Sequence, residues 1–135
     1  MSSALEPLGL LIKKAQYRHH RAMDARLTPL GISFVQWNAL REINRNPGSP
    51  MHQLSELTFN SDQAFGTLTT RMLRLGLIQR RPGVGRATIH SLTPKGETLL
   101  HQGRELLHEV LAASFAPLDE KERVTLAALL GKVVG

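Results

Sequence analysis

Apolar positions along most of this chain repeat at three- and four-residue intervals, the spacing of one face of a helix. Leu8, Leu11, Ile12, Ala15, Ala22, Met23 and Leu27 form the first stripe and predict a helix over residues 5–27. Thr28-Pro29-Leu30-Gly31 turns the chain. Ser33 is placed to cap a second helix reaching about residue 44, with Val35, Leu40 and Ile43 expected inward. Asn46-Pro47-Gly48-Ser49-Pro50 stops it. A short helix over 51–58 carries Leu54 and Leu57, and Phe59-Asn60 turns again. Ser61 caps a longer helix to about residue 75, with Phe65, Leu68, Met72 and Leu75 on its core side and Gly76 just beyond its end. Residues 77–81 and 86–92 have strand character on either side of Pro82-Gly83-Val84-Gly85, which predicts a hairpin. Thr93-Pro94 opens a helix to about residue 115. Pro117 breaks it, and Asp119 with Glu122 forms a capping-box pattern for a last helix over 120–134.

This order predicts a mainly α fold with a small β-hairpin wing, a winged helix-turn-helix flanked by helices at both ends. We expect one domain, with the winged lobe over 33–95 and the flanking helices over 1–30 and 96–135. With 41% hydrophobic residues the chain can build a core, and with 4% aromatics it must fill it from Leu, Ile, Val and Ala. The absence of cysteine excludes disulfides, thiolate zinc sites and cysteine nucleophiles. The first seven residues lack the basic head of a secretory signal, and no apolar stretch approaches the ~20 residues that span a bilayer. A soluble, cytoplasmic protein without membrane contact is expected.

The net charge is +6, and its placement is more informative than its size. Residues 60–95 hold Arg71, Arg74, Arg80, Arg81, Arg86 and Lys95 against the single acid Asp62, so nearly all the excess lies there. Such a segment suits a phosphate-contacting surface. On the 61–75 helix, Gln63, Thr67, Thr70 and Arg74 recur on the side away from the core, with Gly66 and Arg71 beside them. Ser61 and Ala64 lie at its start. Amide, hydroxyl and guanidinium groups read base edges and hold phosphates. Gly66 weakens the helix but allows close approach of the backbone to a duplex. Arg80, Arg81 and Arg86 flank a Gly-rich tip, a form that fits the minor groove. The predicted partner is double-stranded DNA. The alternative is a winged-helix module that binds protein rather than DNA.

At this point the stretches Leu54-Ser55-Glu56-Leu57, Arg71-Met72-Leu73-Arg74-Leu75-Gly76-Leu77-Ile78, Gly85-Arg86-Ala87 and Leu92-Thr93-Pro94-Lys95-Gly96 resemble the MarR (multiple antibiotic resistance regulator) family. The resemblance extends over the flanking helices. It departs at the wing, where Gly83-Val84-Gly85-Arg86 lacks the family's Asp, at the Phe59-Asn60 turn, and at Gly66, where Thr or Ser is common. The resemblance implies a ligand-responsive repressor that binds a pseudo-palindromic operator as a homodimer. Val124, Leu126, Ala127, Ala128, Leu129, Leu130, Val133 and Val134 make the last helix apolar nearly all round, and dimerisation through the terminal helices would bury it. The resemblance further implies a small aromatic effector, with Tyr17, His20 and Trp37 as its expected lining.

His101, Glu105 and His108 share a helix face, but solvated histidines explain them better than zinc, and no metal or cofactor is expected. Metalloprotease, nucleophile-elbow and phosphate-loop motifs are absent, so the chain does not read as an enzyme.

Overall fold

The computed structural model describes residues 4–85 and 88–135. Its elements are α1 (Leu5–Leu27), a 3-10 turn (Thr28–Leu30), α2 (Phe34–Arg45), α3 (Met51–Leu57), α4 (Asp62–Arg74), β1 (Ile78–Pro82), β2 (Thr88–Leu92), α5 (Pro94–Phe115) and α6 (Glu120–Val134). The caps are where local chemistry puts them. Ser33 and Gln36 close a capping box on α2, Asp119 and Glu122 another on α6, and the hydroxyls of Ser61 and Thr93 accept from the N3 amides of α4 and α5. Gly76 takes φ +72° after α4, and the amides of Gly76 and Leu77 bond back to the carbonyls of Leu73 and Met72. That paired closure needs a left-handed residue, which glycine adopts without strain.

The core joins the second half of α1 to α2, α3, α4, the hairpin and α5. Met23, Leu27, Trp37, Leu40, Leu54, Phe65, Met72 and Leu77 are its fully buried large side chains. Two glycines set the distances between elements. A Cβ on Gly96 would lie 2.0 Å from the Leu77 carbonyl oxygen, so the start of α5 seats directly on the backbone entering β1. A Cβ on Gly103 would lie 2.1 Å from Trp37 Nε1, so α5 and α2 meet through the indole.

Two expected core positions differ. Val35 is exposed, because the buried face of α2 runs through Gln36, Trp37, Ala39, Leu40 and Ile43. Leu75, one residue past α4, is 37% exposed, and Thr69 is fully buried, its hydroxyl bonded to the Gly66 carbonyl. On a helix ended by a Schellman turn the last apolar residue leaves the core face, and a threonine whose hydroxyl bonds backbone can fill the space.

The ends of the chain form a different environment. Residues 4–18 and all of α6 except the half-buried Leu126 are exposed, and α6 contains no buried residue. Leu8, Leu11, Val124, Leu129 and Val133 are each more than half exposed. Among the described residues no helix is long and apolar enough to cross a membrane.

Candidate nucleic-acid interface

α3, the turn at Phe59-Asn60 and α4 form the helix-turn-helix. The turn is tight because Phe59 takes φ 60° and the Asn60 amide bonds the Ser55 carbonyl. α4 is held by its apolar side, Phe65 and Met72, with Leu68 packed against the core. Its other side carries Gln63, Ala64, Thr67, Thr70, Arg71 and Arg74, all exposed, with Gly66 half-buried among them. Gln63, Gly66, Thr67, Thr70, Arg71, Arg74 and Leu75 line an open groove of about 840 Å³. A Cβ on Gly66 would meet nothing within 4 Å, so the glycine serves no internal packing need and leaves backbone open on the groove side.

The polar groups in the groove are partly committed. Thr67 Oγ1 donates to the Gln63 carbonyl at 3.2 Å and Thr70 Oγ1 to the Gly66 carbonyl at 2.9 Å. Those bonds hold the hydroxyls against the helix until a stronger acceptor displaces them. Ser61 accepts from the Ala64 amide at 3.1 Å, so its first role is to cap. The guanidiniums are free: among the described residues Arg71, Arg74, Arg80 and Arg81 form no ion pair with a carboxylate. Lys95 is different. Its ammonium donates to the Leu75 carbonyl at 3.0 Å and so closes the C-terminus of α4, although the charge count assigns it to the phosphate-facing surface. Thr93 works beside it, its hydroxyl donating to the Gly76 carbonyl and accepting from the Gly96 amide. The run Leu92-Thr93-Pro94-Lys95-Gly96 is therefore a joint between α4, β1 and α5.

β1 and β2 pair antiparallel with Arg80 opposite His90 and Arg81 opposite Ile89. Alternation puts Arg80 on the face of Ile78, Leu92 and His90, and Arg81 on the other face. The two arginines thus leave the wing in different directions. Arg86, expected to contact DNA from the returning strand, lies outside the described residues. His90 is 3% exposed, and neither ring nitrogen has a hydrogen-bond partner among the described residues. Burial, with the Arg80 charge opposite, pushes its pKa down and keeps the ring neutral.

The expected effector lining is divided. Trp37 is completely buried, and its indole N–H donates to the Leu100 carbonyl at 3.1 Å. It is a core residue in the single chain. Tyr17 is 57% exposed and stacks under Arg21. His20 is half-buried, pairs with Asp24 at 3.2 Å and meets Phe34 edge-on at 5.4 Å. His101 reaches Glu105 at 3.5 Å, with no further ligand to complete a metal cluster among the described residues.

With this geometry in view, comparison with known proteins is specific. The model of the MarR family matches residues 30–87, from the turn before α2 to the residue before β2. The curated transcriptional repressor Rv2887 of Mycobacterium tuberculosis is 24% identical over 129 residues, covering 94% of this chain and 93% of its own. The chain belongs to the MarR family. Solved structures agree along the whole length of this MarR-family protein. A probable transcriptional regulator from Pseudomonas aeruginosa is 30% identical with a TM-score of 0.80, covering 93% of this chain and 95% of that one. A mutant of MarR from E. coli, solved with operator DNA, has a TM-score of 0.89 at 23% identity, covering 100% and 99%, and shares the fold. Rv2887 solved with p-aminosalicylic acid has a TM-score of 0.78 at 23% identity, covering 96% and 99%.

Proposed function

We propose that this protein is a ligand-responsive transcriptional repressor that binds double-stranded DNA as a homodimer and catalyses no reaction. The observation that carries it is the groove on α4: amide, hydroxyl and guanidinium groups exposed on a rigidly seated helix, with no carboxylate paired to its arginines among the described residues. The operator complex of E. coli MarR supports laying α4 in a major groove. Gln63, Ala64, Gly66, Thr67, Thr70, Arg71 and Arg74 then face bases and phosphates, Ser61 presents the start of the helix to the backbone, and Arg80, Arg81 and Arg86 follow the flanking groove. A single groove-reader covers one half-site, and a two-fold dimer covers a pseudo-palindrome. The exposed apolar surfaces of α1 and α6 supply the dimer contact, which makes 1–30 and 96–135 dimerisation segments. A repressor acts where chromosomal DNA is, which places it in the cytoplasm.

The p-aminosalicylic acid complex of Rv2887 supports a small aromatic acid as effector. In this chain Tyr17 and His20, rather than Trp37, are the residues open to it.

The test is a mobility-shift assay with fragments of the source genome, repeated across salt concentrations. Binding should weaken by about 0.9 log units per phosphate contact for each log unit of salt. Retarded fragments with a flat salt response, or none retarded at all, would return the winged lobe to a protein-binding role.

A further inference from the structure

The basic segment contains one acid, Asp62, and it opens the recognition helix. A carboxylate there repels phosphates, so its surroundings matter. His52 on α3 lies with Nδ1 3.0 Å from both carboxylate oxygens of Asp62 and Nε2 2.8 Å from Glu56 Oε1. Ser55 Oγ donates to Asp62 Oδ1 at 2.5 Å from the other side. We infer that His52 is a positioning residue for DNA recognition: as an imidazolium bridging Glu56 and Asp62 it clamps α3 to the first turn of α4, and it couples DNA binding to proton uptake.

Hydrogen-bond chemistry requires the charged form. A neutral imidazole has one N–H, and its second nitrogen is an acceptor that would turn a lone pair toward a carboxylate. Both ring nitrogens here sit at donor distance from anionic oxygens, which only the imidazolium satisfies. The hydrogen bond and charge of Asp62, with the charge of Glu56, accordingly raise the histidine's pKa, and Ser55 and His52 lower that of Asp62. α2, which also packs on α3, carries Arg41 and Arg45, which share the Glu42 carboxylate at 3.4 and 3.5 Å and leave that cluster at net +1.

All three ionic side chains are 66–70% exposed, so water screens the clamp and it contributes little to stability. Its consequence is felt at the DNA. With the proton on, the pair of carboxylates at the front of α4 carries net −1, and α4 is tied to α3 at its first residue. With the proton off, the net is −2, and the ring has one N–H left for two carboxylates, so the clamp is weakened to that bond and the one from Ser55. DNA binding favours the protonated form, and by linkage protonation favours DNA binding to the same extent.

The inference rests on the DNA-binding reading, and two measurements separate their failures. The first is NMR titration of the His52 ring in the free full-length protein, assigned by its loss in His52→Gln. The midpoint should lie above that of an ordinary histidine and fall in Asp62→Asn. A midpoint at or below the ordinary value overturns the clamp whatever happens with DNA. The second uses a duplex enriched from a randomised pool by the wild-type protein, at fixed salt. From about pH 6 to about pH 8.5, wild-type affinity should fall by about threefold to tenfold more than that of His52→Gln, the order of one phosphate contact. The two proteins should converge at the alkaline end, and Asp62→Asn should bind more tightly than wild type there. Parallel pH curves for wild type and His52→Gln overturn the coupling. If the pool yields no bound duplex, the DNA-binding reading fails, and the NMR midpoint alone decides whether the clamp exists.

Discussion

Single residues set tolerances that no pattern of apolar positions conveys. Gly103 lies inside α5, where alanine would ordinarily strengthen a helix by up to about 1 kcal/mol. Here the added methyl would fall 2.1 Å from Trp37 Nε1, well inside van der Waals contact, and would push the indole off the Leu100 carbonyl. Overpacking therefore wins: Gly103→Ala should lose about 1–3 kcal/mol in urea unfolding, followed by fluorescence of the single tryptophan. A stabilised variant would mean that α2 and α5 can separate at no cost. His90 gives the second residue-scale expectation. Its pKa is depressed in the folded state, so its neutral form is the one the fold accepts. Stability is then complete above the unfolded value near 6.5 and declines as pH falls from there through the depressed folded value. Because neither ring nitrogen is bonded among the described residues, His90→Leu should be neutral or stabilising by about 1 kcal/mol at pH 7. It should also flatten the acid side of the stability curve. Thermal midpoints of both proteins between about pH 5 and pH 8 decide it, and a variant with the wild-type acid slope would clear His90 of the effect.

On the proposed reading the elements divide the work of DNA recognition, and substitutions should respect the division. Thr67 and Arg71 project from α4 into the groove, whereas Arg81 leaves the wing from the face opposite His90. A base contact discriminates and a phosphate contact does not. Replacing Thr67 or Arg71 by Ala should cost about 1–3 kcal/mol on the preferred duplex and less on random DNA, whereas Arg81→Ala should weaken both equally. Fluorescence anisotropy on the two duplexes at one salt concentration measures this. Equal losses on both for the α4 variants would leave α4 as a phosphate clamp and move specificity elsewhere. The joint built by Thr93, Lys95 and Gly96 ties helix to wing: the C-terminus of α4, the entry to β1 and the start of α5 share hydrogen bonds at 2.6 to 3.1 Å.

At the scale of the whole molecule, one chain leaves too much apolar surface uncovered to be the working unit. All of α6 is exposed apart from the half-buried Leu126, and so are the first turns of α1 at the other end of the chain. A large exposed apolar surface marks an interface. A chain ending before Asp119 should therefore sediment as a monomer or aggregate, while the full chain sediments as a dimer at micromolar concentration. A monomeric full chain would remove the dimer and the palindrome with it.

Helix starts and stops were legible in the residues because they are local chemistry. Ser33, Ser61, Thr93 and Asp119 cap within three residues of themselves, and Gly76 supplies its left-handed turn wherever the rest of the fold lies. The exposed face of α4 was legible for the same reason, since helical spacing decides which side chains lie together. What only the packed chain decided are relations across long sequence separations. That Trp37 is fully buried follows from α5, more than sixty residues away, which closes over it through Gly103. Lys95 counts toward the basic segment in the sequence, and only the fold sets its ammonium over the Leu75 carbonyl as a cap. His52 carried no signal at all, because its meaning lies in a carboxylate ten residues on, brought back by a turn with one strained phenylalanine. Periodicity says which face a residue occupies; only the folded chain says which oxygen it meets there.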